Sequence, residues 1–220
     1  MTEIIPAILT NDISDFRKKY ADLFALSHYF TKLHVDFIDG DFLPQNTIQI
    51  KDLAGFKSTL SMIAHLMVRN PKDYFEDAKK QGFAYVFIHF EAFENLDELQ
   101  KTIDKAKELH LKIGLSINPE TKLYEAAKFI DKVDVIQLMG VHPGAQGRAF
   151  EPATLDKIRE LRNLSKNVII CVDGGVKVGV VRECVLAGAN WLVAGSAILQ
   201  SDNQKIAIEA LKADSEIKPS

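Results

Sequence analysis

The feature that most constrains this chain is an alternation repeated eight times. A short apolar run gives way to a segment with helical spacing, and then to the next run. The runs span residues 4–9, 30–37, 62–68, 85–90, 113–117, 133–139, 168–172 and 191–194. Each has strand length, and several are rich in Val, Ile and Phe. They are continuously apolar, which suits strands buried on both faces of a parallel sheet. Between them, Ile13, Phe16, Tyr20, Leu23 and Phe24 recur at steps of three and four. So do Leu96, Leu99, Ile103 and Ala106, and also Leu155, Ile158 and Leu161. These spacings predict amphipathic helices. Asn70 with Pro71, and Asn118 with Pro119, read as helix starts, where Asn caps free N–H groups and Pro loses no hydrogen bond. Gly82 and Gly188 mark helix ends. The second crossover, around residues 47–57, carries the weakest helical pattern.

Eight such units in 220 residues leave no room for a second domain. The fold class expected is α/β, a single TIM (β/α)8 barrel over residues 1–220, with the polar stretch 214–220 as a frayed tail. A doubly wound open sheet has the same alternation and is the alternative.

Composition excludes some functions. Lys plus Arg is 27 against 30 for Asp plus Glu. That balance gives no electrostatic footprint for nucleic acid. No run approaches the roughly 18 apolar residues of a membrane helix, and the first residues lack the basic start of a signal peptide. Cys171 and Cys184 make neither a disulfide framework nor a zinc motif, so a reducing cytoplasm is expected.

In a barrel of this kind the active site lies at the C-terminal ends of the strands. The second run ends in His34-Val35-Asp36-Phe37-Ile38-Asp39-Gly40, and period two puts His34 and Asp36 on one face. The third run carries His65, and the seventh is followed by Asp173. Two His and two Asp at strand ends suit a four-ligand site for a divalent metal. Hydrogen-bonded polar groups in a core have the same spacing, so both readings stand at this point. Gly174 and Gly175 follow the seventh strand, and Gly195 and Ser196 follow the eighth. These are phosphate-cradling loops or simply tight turns. The loop from His142 to Arg148, with Gly144 and Gly147, has the length of a lid. No Lys stands where a Schiff-base enzyme needs one, and no G-x-S-x-G elbow is present. His28 and His110 fall on the far rim. His89 ends the fourth run on the correct rim, where it touches substrate or packs.

These pieces together resemble the ribulose-phosphate 3-epimerase family. Residues 6–12 resemble its P-S-I-L-S-A-D, and His34 to Gly40 resemble H-V-D-V-M-D-G. Phe42-Leu43-Pro44 resembles F-V-P, and His65-Leu66-Met67-Val68 is H-L-M-V. Residues 114–121 resemble G-L-A-I-N-P-x-T, and the segments around Asp173-Gly174-Gly175 and Gly195-Ser196 match closely.

The resemblance implies a ribulose-phosphate-binding type of TIM barrel that inverts C3 of a pentulose 5-phosphate. It implies His34, Asp36, His65 and Asp173 as ligands of one divalent metal (Zn, Fe, Mn or Co). Asp36 and Asp173 would be the catalytic acid and base. Thr10, His65, Gly144, Gly147, Gly174, Gly175, Gly195 and Ser196 would bind the sugar phosphate. Self-association is implied by the resemblance alone.

The chain also departs from the family. Ala7 and Thr10 stand for serines, and Ile38 for a Met beside the metal. In the loop after the sixth strand the family reads M-S-V-N-P-G-F-G-G-Q, against Met139-Gly140-Val141-His142-Pro143-Gly144-Ala145-Gln146-Gly147-Arg148 here. The aromatic lid residue and one glycine are lost, and Arg148 is a candidate phosphate partner in exchange. The leading expectation is conversion of D-ribulose 5-phosphate and D-xylulose 5-phosphate into each other. The alternatives are 3-epimerisation of a hexulose 6-phosphate such as allulose 6-phosphate, and a non-catalytic phosphate-binding barrel.

Overall fold

A computed structural model describes residues 2–144 and 147–216. All eight apolar runs are strands: β1 (Glu3–Ile8), β2 (Lys32–Ile38), β3 (Ser61–Met67), β4 (Phe83–His89), β5 (Lys112–Ile117), β6 (Val135–Met139), β7 (Ile169–Asp173) and β8 (Trp191–Ala194). Each pairs in parallel with its sequence neighbours, and β1 pairs with β8 to close the barrel. The open doubly wound sheet is thereby excluded.

The outer layer holds α1 (Ile13–Phe24), α2 (Phe75–Lys80), α3 (Leu96–Glu108), α4 (Leu123–Ala126), α5 (Ala153–Leu164), α6 (Val180–Ala187), α7 (Ser196–Leu199) and α8 (Gln204–Ser215). Side chains cap three of them. Asp12 accepts from the Asp15 N–H at 2.7 Å, Asn95 from Asp97 at 2.8 Å and Asn203 from Ile206 at 3.1 Å. Gly188 ends α6 in the left-handed conformation, φ +117°.

Four expectations need correction. The crossover after β2 holds only a short 3-10 turn, Ile50–Leu53, and no α-helix. Asn118 with Pro119 does not open a helix. There α4 begins at Leu123, where the Glu125 carboxylate accepts from the Lys122 N–H at 3.0 Å. Asn70 does precede a 3-10 turn (Pro71–Tyr74), but its side chain makes no capping bond. Asp214, expected within the frayed tail, lies instead in the last turn of α8 (Gln204–Ser215). Asp214 is buried within α8, and its carboxylate accepts the N–H groups of Gly179 and Arg182 at 2.7 and 3.1 Å. A carboxylate that closes the start of α6 is tied down, not frayed. Residues 217–220 lie outside the described residues.

The core has two parts. The larger lies between the sheet and the helices. The smaller fills the barrel: Ile5, Ala7, Ile63, Tyr85, Phe87, Val135, Cys171, Trp191 and Val193. Gly114 belongs to this interior, since a Cβ there would stand 2.3 Å from the Phe87 ring. The missing side chain on β5 is the space that Phe87 occupies. Toward the C-terminal ends of the strands the filling turns polar, with His34, Asp36, His65, His89, Ser116 and Gln137 all buried. That change of filling positions the site.

Candidate metal centre at the barrel mouth

Four strands supply the ionisable groups of the polar layer. His34 and Asp36 project from β2, His65 from β3, His89 from β4 and Asp173 from the end of β7. Asp36 and His65 are register partners on neighbouring strands. Their side chains meet, with His65 Nδ1 2.8 Å from Asp36 Oδ1. The same Nδ1 lies 3.5 Å from Asp173 Oδ2. His34 contributes Nδ1 at 3.5 Å from Asp36 Oδ1 and Nε2 at 3.9 Å from Asp173 Oδ2. One ligand atom from each of His34, Asp36, His65 and Asp173 falls within 4.8 Å of the others. The four residues singled out from strand-end spacing are therefore brought together.

The electrostatics are those of a site that lacks positive charge. Burial pushes His34 down to about 4, against the pull of Asp36, so its imidazole is neutral at physiological pH. Burial and the neighbouring His89 hold His65 well below the ordinary imidazole range. Burial raises Asp36, with His34 and His89 working the other way. Burial and the nearby Asp36 carboxyl raise Asp173 well above the carboxylate range, despite the Gly174 N–H. Two carboxyl groups this close resist losing both protons. Both ring nitrogens of His34 are buried without a hydrogen-bond partner among the described residues. A buried polar atom left so is costly, and a cation relieves it. Neutral imidazoles and carboxylates in this number suit zinc, iron, manganese or cobalt.

Above this layer lies a cavity lined by Asp36, His65 and Asp173, by Met67 and Met139, and by the loops after β6, β7 and β8. Gly144, Gly147, Gly174, Gly175, Gly195 and Ser196 all line it. Gly174 and Gly175 have φ of +100° and +69°. A Cβ on Gly175 would stand 2.6 Å from the backbone of Phe150, so only glycine lets the two loops pack. Thr10 is the exception. It is half-buried outside the cavity lining, and its hydroxyl accepts from the Asp12 N–H at 3.3 Å. His34 lies beneath the cavity rather than in its wall. Of the lid, Ala145 and Gln146 lie outside the described residues, and exposed Arg148 donates to the His142 carbonyl at 3.4 Å. His28 and His110 are exposed, as expected of far-rim residues.

Two polar residues here, Gln137 and Glu91, were not singled out from the sequence. Gln137 lies inside an apolar run with the parity of Val135 and Met139, so period two places it in the barrel. Its amide nitrogen donates to Ser116 Oγ at 3.1 Å. His89 had two readings, and it packs: it is fully buried, against His65. Glu91 follows it by two residues and gave no signal of its own.

Comparison with known proteins follows the same line. The model of the family described as "Ribulose-phosphate 3 epimerase family" matches residues 3–199. A ribulose-phosphate 3-epimerase of Serratia marcescens is 37% identical over 210 residues, covering 92% of this chain and 98% of its own. The enzyme of that name from Escherichia coli (strain K12) is 35% identical over 218 residues, covering 96% and 95%. The one from Bacillus subtilis (strain 168) is 32% identical over 226 residues, covering 96% and 99%. Among solved structures, a tryptophan synthase alpha-subunit from Pyrococcus furiosus superposes with a TM-score of 0.68, covering 97% of this chain and 96% of its own. At 18% identity that likeness concerns the fold alone.

Proposed function

The chain belongs to the ribulose-phosphate 3-epimerase family, and from that premise we propose that it interconverts D-ribulose 5-phosphate and D-xylulose 5-phosphate. The observation that carries the reading is the convergence of His34, Asp36, His65 and Asp173 within 4.8 Å below the cavity.

Inverting C3 removes a proton from one face of the carbon and returns one to the other. The proton is weakly acidic because it lies α to a carbonyl, and its loss leaves an enediolate. Two carboxyl groups are needed, one ionised to accept and one protonated to donate. Asp36 and Asp173 come from β2 and β7, which two other strands separate on the barrel wall. Their crowding and burial favour a single shared proton, the state in which the pair works in both directions. His34, Asp36, His65 and Asp173 are the residues that would hold a divalent cation, of zinc, iron, manganese or cobalt. When bound, it supplies positive charge that stabilises the negative charge developing on the substrate oxygens. The glycines of the β7 and β8 loops, with Ser196, receive the phosphate, and Gly144 and Gly147 approach it from the β6 loop. Anchoring the phosphate fixes C3 between the two carboxyls. Cys171 and Cys184 are free and buried, which fits a reducing compartment, and we place the reaction in the cytoplasm.

The test is turnover of ribulose 5-phosphate in deuterated water with zinc, iron(II), manganese or no metal, beside Asp173→Asn. Metal-dependent xylulose 5-phosphate with deuterium at C3, abolished in the variant, is the expected result. Stoichiometric metal binding without turnover redirects the reading to a hexulose 6-phosphate. Absence of both metal binding and turnover leaves a non-catalytic barrel and overturns the proposal.

A further inference from the structure

His65 turns Nδ1 toward Asp36 and Asp173, at 2.8 and 3.5 Å. That is the nitrogen able to serve a cation, and for this it needs its lone pair. A neutral imidazole then carries its proton on Nε2, and something must accept from it. Two groups are in reach: His89 Nε2 at 2.8 Å and the Gln137 amide at 3.2 Å. The Gln137 amide serves either tautomer. It donates to a bare Nε2, or turned end for end it accepts from Nε2–H.

His89 has less freedom. Its ring meets that of His65 nearly in plane, with centroids at 5.0 Å, and packs at a tilt against Phe42 at 5.2 Å. Its Nδ1 faces Glu91 Oε2 at 3.4 Å. Glu91 is itself held by the loop after β5. Its Oε1 accepts the Asn118 N–H at 2.8 Å and the Thr121 hydroxyl at 2.6 Å. Burial alone would raise this carboxyl, but the bonds from His89, Thr121 and Asn118 outweigh it and hold it below the ordinary range. An ionised carboxylate only accepts, so the direction of the whole chain is set from its far end.

We propose that Glu91, acting through His89, is a positioning residue that fixes the tautomer of His65 and keeps Nδ1 bare toward the metal centre. His89 Nδ1–H donates to Glu91, which leaves His89 Nε2 to accept from His65 Nε2–H. Partners of this kind behind a metal-binding imidazole orient the ring and raise its basicity. The inference rests on the metal centre proposed above.

Glu91→Gln tests it without changing shape. The amide oxygen keeps the Asn118 and Thr121 donors, and the amide nitrogen then faces His89 Nδ1. That forces the proton of His89 onto Nε2 and the proton of His65 onto Nδ1. The expected result is a ten- to hundredfold loss of zinc affinity by chelator competition. The melting temperature of the metal-free protein stays unchanged. Imidazole 15N shifts of the metal-free proteins should report His89 protonated on Nδ1 in the parent and on Nε2 in the variant. In a His89→Phe background, Glu91→Gln should cost no further affinity. Equal zinc affinity in parent and E91Q overturns the relay and leaves the centre standing. A full additional loss in the His89→Phe background overturns action through His89. A parent protein that binds no zinc overturns the centre, and the relay with it.

Discussion

Asp36 and His65 face each other across the β2–β3 ladder, and His65 Nδ1 lies 2.8 Å from Asp36 Oδ1. Register delivers this contact, because partner residues on adjacent parallel strands point to the same side of the sheet. The contact also creates a problem for the bare protein. A carboxylate, two neutral imidazoles and the second carboxyl of Asp173 share one buried volume.

Metal removal is the first prediction. Stripping the protein with a chelator should abolish turnover and lower the melting temperature, and zinc or manganese should restore both. At a metal concentration 100-fold above the dissociation constant, the stabilisation is about 2.7 kcal/mol. For a chain of this size that corresponds to roughly 5–10 °C. His34→Phe, which removes one of the four donors, should lose most of that response. A melting curve in the parent protein that ignores both chelator and metal would sink the idea.

The second prediction concerns the loop after β7. Gly175 has φ +69°, and a Cβ there would stand 2.6 Å from the Phe150 backbone. Gly55 has φ +78° with nothing within 4 Å of an added Cβ. Gly55→Ala should therefore show only the left-handed backbone penalty, about 1–2 kcal/mol. Gly175→Ala adds a clash of about 1–3 kcal/mol against backbone that cannot turn aside. Thermal melts of the two variants separate the terms, and equal losses would refute the packing argument. Gly175→Ala should also raise the Michaelis constant for the phosphorylated substrate.

The barrel was legible because buried parallel strands leave continuous apolar runs, and all eight runs became strands. Their ends were less so. Phe30 and Val133 extended the runs but lie outside β2 and β6, since apolar packing does not stop where the ladder stops. The metal-site residues were legible because each ends or interrupts a strand run at the correct rim. Glu91 and Asn118 were not. Asn118 carries a helix-start signature, yet its N–H goes to the Glu91 carboxylate and its Oδ1 is buried without a partner among the described residues. Arg162 was equally silent. Its guanidinium gathers the carbonyls of Ser165, Lys166, Val168 and Gly188 and the Asn190 side chain. Such convergence comes from loops meeting in space, and no spacing along one element encodes it.

Arg148 supplies the third prediction. It follows Gly147, which lines the cavity, and its exposed guanidinium is held by the His142 carbonyl. We propose it as a phosphate partner because its neighbour Gly147 borders the proposed phosphate site. Arg148→Ala should raise the Michaelis constant about tenfold, the worth of one charge-assisted hydrogen bond, and leave kcat nearly unchanged. An unchanged Michaelis constant would remove Arg148 from the phosphate site.

The fourth prediction is a pH dependence set by Asp39, just beyond β2. Its Oδ1 accepts the N–H groups of Asp41 and Phe42 at 2.9 Å each, and its Oδ2 accepts that of Arg69 at 2.7 Å. Burial alone would raise this carboxyl, but the three N–H groups outweigh it and hold the folded-state value below the ordinary one. A group depressed on folding stabilises the fold above its unfolded value, about 3.9, and loses that contribution as pH falls through the lower folded value. Asp39→Asn keeps one acceptor oxygen and turns an amide nitrogen toward a backbone donor. At pH 7 the variant should be less stable by about 1 kcal/mol, the worth of one such hydrogen bond. Below about pH 4 the gap between variant and parent should close, because the parent carboxyl is then being protonated as well. Denaturant melts of both proteins at pH 7 and in steps from 4 downward measure that gap. A gap that stays constant across the series would mean the charge of Asp39 does not hold the loop.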